Sequence, residues 1–321
     1  MAVSGNSLVI LRRAIAQELG SYFLTTTGSI SSSSTNLMLN QANVLDSEAP
    51  TERYGGWYSY IGSGSYQGQQ ARVTRAGFNG STGATTLANA INLTGGVQVA
   101  AGVTIEMHGV MPAISQDGLL GIRECINRAL RKLWVVDRYE ISATTGQFEY
   151  DLTMWWASKR RFVRLLDPED AATGRMDPAT QGWRIVRDAE TWTLQLDQGY
   201  ATGETFALVV ERPANSRLYV SSAWAEQSSP TAGLVSDNDA CLGNWNDVYQ
   251  ACLYECYAAL AVQAGGARKS YWASKLEEQR TVVAMMKLFE MDSESVTLGE
   301  GSSDAPGTWA NVRGDHGFWS R

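Results

Sequence analysis

The chain has 321 residues, about the length of two domains, with 44% hydrophobic and 18% charged residues, which excludes a wholly disordered protein. The net charge of −7 argues against a protein that coats nucleic acid, because such proteins normally carry a basic surface. Two His and four Cys limit metal and nucleophile chemistry, whereas 31 Gly and 11 Trp suit a β-rich protein with large contact surfaces.

The N-terminal segment predicts a helix over residues 7–20. Ser7 is a suitable N-cap, Gly20 is a suitable stop, and apolar residues recur at helical spacing at Leu8, Leu11, Ile15 and Leu19. The segment lacks the order of a signal peptide, and no stretch approaches the ~18 apolar residues that span a bilayer. We therefore expect synthesis and folding in the cytoplasm, with no membrane partner.

A polar segment and a first β region follow the helix. Residues 25–36, TTTGSISSSSTN, predict either a flexible linker or a polar strand and loop. Residues 54–111 alternate short β-prone runs with glycine-rich turns. The runs are Trp57–Ile61, Gln69–Phe78 and Val103–Met111. This pattern predicts a small β-sandwich or barrel.

A central helix and a second β region come next. Ser115 can cap a helix over residues 115–136, whose apolar residues form one stripe. Residues 139–220 predict an antiparallel sheet, because β-prone runs alternate with turns. The candidate strands are Gln147–Leu152, Arg161–Leu166, Trp183–Arg187, Thr191–Leu196 and Thr205–Arg212.

The C-terminal part predicts a helical hairpin over residues 237–291. Gly265 and Gly266 interrupt the pattern, and a second helix runs from about Lys269 to Glu290. Residues 292–321 have no periodicity. The predicted fold class is α+β, with a helical core formed by the central helix and the hairpin that packs with it, two antiparallel β modules and an extended C-terminal tail. The predicted segments are residues 1–24, 25–112, 113–136, 137–236, 237–291 and 292–321.

The cysteines predict buried free thiols. Cys252 and Cys256 are four residues apart on a predicted helix, which is poor geometry for a disulfide. A zinc site needs four ligands at motif spacing, and the two histidines are far away in the sequence. We therefore predict no metal site and no cofactor.

Two segments resemble catalytic motifs only weakly. Residues 62–68, GSGSYQG, place the third glycine one position late for a dinucleotide fingerprint and precede a strand pattern, so a β-turn is predicted. The acidic residues Asp167, Glu169, Asp170 and Asp177 could do glycosidase work across a groove, but two Asp-Pro pairs are typical of turns. No catalytic residue is predicted.

Basic and aromatic residues leave two alternatives open. The run Lys159, Arg160, Arg161 and Arg164 is either a solvated strand edge or a contact for an acidic partner or a phosphate backbone, and the same choice applies to Arg123, Arg128, Arg131 and Lys132. Most Trp residues are expected in cores, although exposed ones could bind sugars or a subunit. The tail has no core of its own, so we predict docking roles for Trp309, Phe318 and Trp319.

The order of several short motifs resembles head–tail connector proteins of tailed bacteriophages, the adaptor or neck proteins below the portal. Asn127, Ala129 and Leu130 with Trp134 match "Asn-x-Ala-Leu" and an aromatic, Tyr150-Asp151-Leu152 matches "Tyr-Asp-Leu", and Arg212-Pro213 matches "x-Arg-Pro". Residues 11–20, the strand in GSYQGQQARVTRAGF and Asp237–Leu260 are also similar. The long tail and the Ser-rich residues 31–34 depart from the pattern.

The resemblance implies a non-enzymatic virion protein at the head–tail interface, assembled in the host cytoplasm. Such a protein forms a ring, usually dodecameric, that contacts the portal and tail or neck proteins, while double-stranded DNA passes through the lumen. A head-to-tail ring needs two different surfaces on each subunit. A net charge of −7 then argues only against gripping DNA. The alternatives are a carbohydrate-binding or tail-fibre-like protein that uses Trp platforms, and an enzyme with an unrecognised carboxylate site.

Overall fold

The computed structural model describes residues 6–28, 35–40, 48–92, 99–152, 161–170, 173–188, 191–286 and 288, with only the backbone at 161, 162 and 188. These residues form a mixed α+β structure with four α-helices and several antiparallel sheets. The described residues divide into two compact units. Unit 1 comes from Met1–Leu130, Leu218–Ala225 and Gly233–Met286, and unit 2 from Arg131–Arg217 and Glu226–Ala232.

Unit 1 contains a six-stranded antiparallel sheet in the order β1-β6-β3-β4-β5-β2. Its two outer strands also meet, because Gly28 N donates to Met38 O at 2.6 Å and Asn40 N donates to Thr26 O at 2.7 Å. The sheet therefore closes on itself, which is the second of the two predicted architectures. Its strands are β1 Tyr22–Thr26, β2 Asn36–Met38, β3 Tyr58–Ile61, β4 Gln70–Phe78, β5 Ala84–Leu87 and β6 Thr104–His108.

Alternation along the strands fills the inside of the closed sheet. In β6, Ile105 and Met107 face an apolar core, and the alternate residues Glu106 and His108 face the other side. The core also contains the buried side chains of Leu37, Leu39, Ile61, Ala71, Val73, Phe78 and Leu87. Closure leaves few free strand edges, which stabilises a small sheet with short strands.

Helix α1, Leu8–Leu19, agrees with the predicted N-terminal helix. Ser7 occupies the N-cap position, but its side chain makes no capping hydrogen bond. Instead, the first free N–H groups of the helix donate to a distant loop, Leu8 N to Asp239 O at 2.8 Å and Val9 N to Asp237 O at 3.1 Å. The helix start is therefore attached to residues that follow more than 200 positions later in the chain.

The central helix is shorter than predicted. Helix α2 is Ile122–Lys132, so the prediction of a helix over 115–136 with Ser115 as its cap is wrong at both ends. A tight turn precedes it, with φ of 53° at Asp117 and 77° at Gly118, which no helix tolerates. At the other end, Trp134 already begins a strand, β7 (Trp134–Ser142), because the β-branched residues Val135 and Val136 follow it.

The C-terminal hairpin consists of α3, Trp245–Gln263, and α4, Ala267–Met285, rather than a second helix over 269–290. Asn244 caps α3 by accepting from Asn246 N at 2.9 Å. Gln279 joins the two helices, because its Nε2 donates to Gln250 O at 3.1 Å and to Gln250 Oε1 at 2.6 Å. Before α3, a small sheet contains β13 Arg217–Val220, β14 Ala223–Glu226 and β15 Ala240–Cys241.

Unit 2 is a sandwich of two three-stranded antiparallel sheets, β7-β12-β9 and β8-β11-β10. Their facing side chains share one apolar core that includes Tyr150, Trp192, Leu194 and Phe206. Strand β12 is buried on both faces, since Ala207 and Val209 pack in a second cluster. The strands are β7 Trp134–Ser142, β8 Glu149–Asp151, β9 Arg161–Leu166, β10 Trp183–Asp188, β11 Thr191–Leu196 and β12 Thr205–Pro213.

Candidate functional site

Of the five arginines with a predicted docking role, the structure describes the side chains of three, which all lie on α2. On α2, Arg123 pairs with Glu124, with Nη2 2.8 Å from Oε1, and Arg128 is exposed. Arg131 is exposed and donates from Nη2 to Thr231 O at 2.8 Å. For Arg161 only the backbone, at the start of β9, is described. Arg160, Trp309, Phe318 and Trp319 lie outside the described residues.

The glycine-rich segment 62–68 is a hairpin loop, which confirms the predicted turn. Strand β3 ends at Ile61, Gly68 N donates to Ile61 O at 2.9 Å, and the chain continues into β4. The acidic segment also forms a turn, since Gly174 N donates to Asp170 O at 2.7 Å. Asp167 accepts from Tyr200 Oη at 2.6 Å. Neither segment shows the strand–turn–helix context of a dinucleotide site.

A buried network of charged residues lies outside the closed sheet, on the face of β6 opposite its apolar core. Glu106 has no exposed side-chain surface, and Arg12 of α1 is 1% exposed. Arg12 donates to both Glu106 oxygens, from Nε to Oε2 at 2.9 Å and from Nη2 to Oε1 at 2.8 Å. This fork-to-fork geometry is the strongest form of an arginine–carboxylate pair. The network therefore joins α1 to the sheet.

The same arginine binds a second carboxylate, Asp237, in the loop before α3. Arg12 Nη1 lies 2.5 Å from Asp237 Oδ1, and Nη2 lies 3.2 Å from Oδ2. Asp237 also accepts from Tyr60 Oη at 2.8 Å and from Gln67 Nε2 at 3.1 Å. The guanidinium lies 4.1 Å from the centre of the Tyr60 ring, a cation–π arrangement. One side chain thus holds a helix, a strand and a loop together.

Arg13 and His108 complete the network around Glu106. Arg13 Nε donates to Glu106 Oε1 at 2.8 Å and is about one third exposed, so it marks the solvent side. His108 Nε2 is buried, makes no hydrogen bond, and lies 3.4 Å from Glu106 Oε2. The Tyr22 ring is 5.2 Å from the His108 ring, and its hydroxyl is also buried without a hydrogen bond.

Burial and pairing act in opposite directions on these groups. Burial alone would raise the pKa of Glu106, but its hydrogen bonds and the positive charge of Arg12 more than offset burial and hold that pKa well below its usual range. For His108, burial lowers the pKa, the neighbouring Glu106 acts in the opposite direction, and the charges of Arg12 and Arg13 also lower it, so the pKa is lowered overall. At neutral pH the network therefore contains two carboxylates, two guanidiniums and a neutral imidazole.

The arrangement is suited to holding elements together rather than to binding a small molecule. The shallow cleft beside it, lined by Leu19, Gly20, Tyr22, His108 and Ile122 among others, has no room for a water molecule. Within the described ranges, no group of three His, Cys, Asp or Glu side chains is arranged to hold a metal ion. None of the described helices is long and apolar enough to cross a membrane.

Sequence reasoning missed this network, although one signal was present. Arg12 falls on the apolar stripe of α1, between Leu8 and Ile15, where a charged side chain must be either buried with partners or pointed away. Glu106 and His108 gave no comparable signal, because alternation with Ile105 and Met107 is also the pattern of a strand with one face in water.

No family model, curated protein or solved structure matches this chain. Function must therefore be argued from the residues themselves. The network explains how three segments of unit 1 are held together, and the surfaces of the helices are the remaining features that a partner could use.

Proposed function

We propose that this chain is a non-enzymatic structural subunit of a tailed-bacteriophage virion, a head–tail connector that forms a ring beneath the portal, joins capsid to tail and lets DNA pass. The proposal begins from the order of the connector-like motifs in the sequence. Its support from the structure comes from the role of one of these motifs and from the surface of the C-terminal hairpin.

The "Asn-x-Ala-Leu" motif has a clear structural role in α2. Asn127 Nδ2 donates to Leu234 O at 3.0 Å, and Leu234 N donates to Asn127 Oδ1 at 2.8 Å. Ala129 and Leu130 are fully buried. A Cβ on Gly233 would lie 2.5 Å from Asn127 Cγ, so the approach requires glycine. The motif therefore attaches the central helix to the segment that leads to the hairpin.

The observation that carries the proposal is the incomplete burial of the hairpin. Only Trp272, Gln279 and Val283 of the 19 residues of α4 are buried. Val262 is 81% exposed and Met285 is 77% exposed, and Tyr271 between them in sequence is also exposed. Exposed large apolar side chains on one supersecondary element are typical of surfaces that contact another protein. In a ring, a neighbouring copy would cover them.

The mass of the purified full chain tests the proposal. A ring of twelve 35.0 kDa subunits has a mass of about 420 kDa. We expect native mass spectrometry and negative-stain images to show closed rings, alone or on portal rings encoded in the same genome. The proposal is contradicted if the protein stays monomeric at micromolar concentration and forms no ring when portal rings are added.

A pair of variants tests the hairpin surface. Val262→Glu combined with Met285→Glu places two charges on exposed positions, so the fold should survive while ring formation is lost. Phe148→Glu, just before β8 and 47% exposed, is the control outside the hairpin and should still form rings. Unchanged circular dichroism verifies folding. Rings formed equally by both variants would exclude the hairpin from the interface.

We propose separately that the C-terminal tail and the basic residues dock on the portal or on a neighbouring subunit. Deleting residues 300–321 removes Trp309, Phe318 and Trp319 and should abolish binding to portal rings while the fold remains intact. Arg128→Glu tests an exposed arginine of α2, with a smaller expected loss. A truncated protein that still assembles on portal rings would remove the tail from the docking surface.

A glycan array separates the connector from a carbohydrate-binding protein. Trp192 and Trp272 are buried in cores, whereas Trp224 and Trp245 are partly exposed, and Trp245 stacks on Tyr249 at 5.8 Å. Exposed stacked aromatics are the feature that sugar binding would use. We expect no glycan to bind, and binding by a persistent monomer would favour the alternative.

A further inference from the structure

The buried network controls the attachment of the segment that precedes the hairpin. Arg12 binds Asp237, and the backbone N–H groups of Leu8 and Val9 donate to Asp239 O and Asp237 O. Asp239 in turn accepts from Val235 N and Ser236 N through its side chain. The loop 235–239 is therefore held by α1 on one side, and α3 begins a few residues later at Trp245.

His108 is the group in this network whose ordinary pKa lies nearest to neutral pH. It faces Glu106 on its own strand, Arg12 and Arg13 from α1, Tyr22 from β1 and Tyr58 on the paired position of β3. Two arginines and two carboxylates balance one another when the imidazole is neutral. A proton on Nε2 adds a third cation around Glu106, whose Oε2, 3.4 Å away, already accepts from Arg12 Nε.

We propose that His108 is an acid-sensitive trigger, whose protonation opens the Arg12–Glu106–Asp237 network and releases the loop 235–239, and with it the start of the hairpin, from α1. The added charge is buried and has to compete with Arg12 for Glu106, so it is accommodated only when the site opens to water. The inference is independent of the proposed role in a virion.

The chain has a hinge beside the trigger. Gly20 and Ser21, between α1 and β1, have φ of 79° and 51° and line the same shallow cleft as His108 and Tyr22. Because that cleft has no room for water, a proton reaches His108 only when the end of α1 moves. In the proposed opening, the end of α1 turns at this pair of positive-φ residues while β1 stays in the sheet.

Hydrogen exchange of the full chain tests the trigger. We expect the protection factors of the amides of residues 8, 9 and 239, corrected for intrinsic rates, to fall by about fivefold between pH 6.5 and 5.5, because each opening exposes one imidazole with an ordinary pKa of about 6.5. His108→Gln keeps a neutral amide near Nε2 and should abolish this fall. His316→Gln, which changes the other histidine, is the matched control and should keep it.

Three results would overturn the proposal. The first is an equal fall in His108→Gln and in the unaltered chain. The second is an equal fall at Leu208 in unit 2, which would assign the effect to global unfolding. The third needs no variant: amides 8, 9 and 239 of the unaltered chain that stay equally protected from pH 6.5 to 5.5 would show that opening takes up no proton.

Discussion

Arg12 and Glu106, 94 residues apart in the chain, form a two-point hydrogen-bonded pair inside unit 1, with Nε–Oε2 and Nη2–Oε1 distances of 2.9 and 2.8 Å. Both side chains are at most 1% exposed. The pair is tolerated because Asp237, Tyr60 and Arg13 satisfy the remaining donors and charges. Its strength therefore depends on the complete set of partners.

Removal of Arg12 should destabilise the protein strongly. Arg12→Met leaves two carboxylates buried without their main partner, and we expect a loss of about 3–5 kcal/mol in the free energy of unfolding. Arg13→Met is the matched control, because it removes a partner of the same Glu106 oxygen from a position that is 32% exposed. There we expect a loss of about 1 kcal/mol or less. Urea titration measures both, and equal losses would contradict the ranking.

Stability should fall with pH in two separate windows. The pKa of His108 is lowered by burial, so the unfolded chain takes up a proton near pH 6.5 while the folded chain does not, and stability decreases as the pH falls below about 6.5. The pKa of Glu106 is lowered by its partners, so its contribution is present above about 4.5 and is lost as the pH falls further. Urea titrations from pH 7.5 to 4 measure this, and His108→Gln should remove the first window alone.

The turn before β5 requires glycine for two reasons. Gly83 has φ of 73°, and a Cβ there would lie 2.6 Å from Leu39 O, directly after strand β2, which pairs with β5. Gly102, with φ of 79° and nothing within 4 Å, is a matched control. Gly102→Ala should cost about 1 kcal/mol for its backbone conformation, and Gly83→Ala should cost about 1–3 kcal/mol more because of the clash. Thermal unfolding of both variants compares them.

The four thiols should be unreactive in the folded protein. All four are free and buried, as predicted, and burial raises the pKa of Cys241 to about 12. Thiolate, the reactive form, is then scarce at pH 8. We expect a disulfide reagent to modify none of the cysteines within minutes in buffer and all four in 8 M urea. Rapid modification of any thiol in buffer would show that its site opens locally.

Local patterns predicted many elements well. Strands β9 and β11 have the predicted bounds, and α1 differs from its prediction by one residue at each end. Failures occurred where a turn or a distant partner decided the outcome. Left-handed backbone at Asp117 and Gly118 prevented the central helix from starting at residue 115. Strand β7, over Trp134–Ser142, was missed because its first residues continue the apolar stripe of that helix.

The sequence by itself determined the alternation of helices and strands, the turn chemistry of the glycine-rich hairpin and the free state of the cysteines, because these depend on neighbours within a few residues. Only the tertiary structure decided that the six-stranded sheet closes and that Glu106 and His108 lie in a buried network rather than in water. The outer face of β6 is polar in either case. Its environment depends on whether α1 and the loop of Asp237 pack against it, and local periodicity contains no information on contacts between such distant segments.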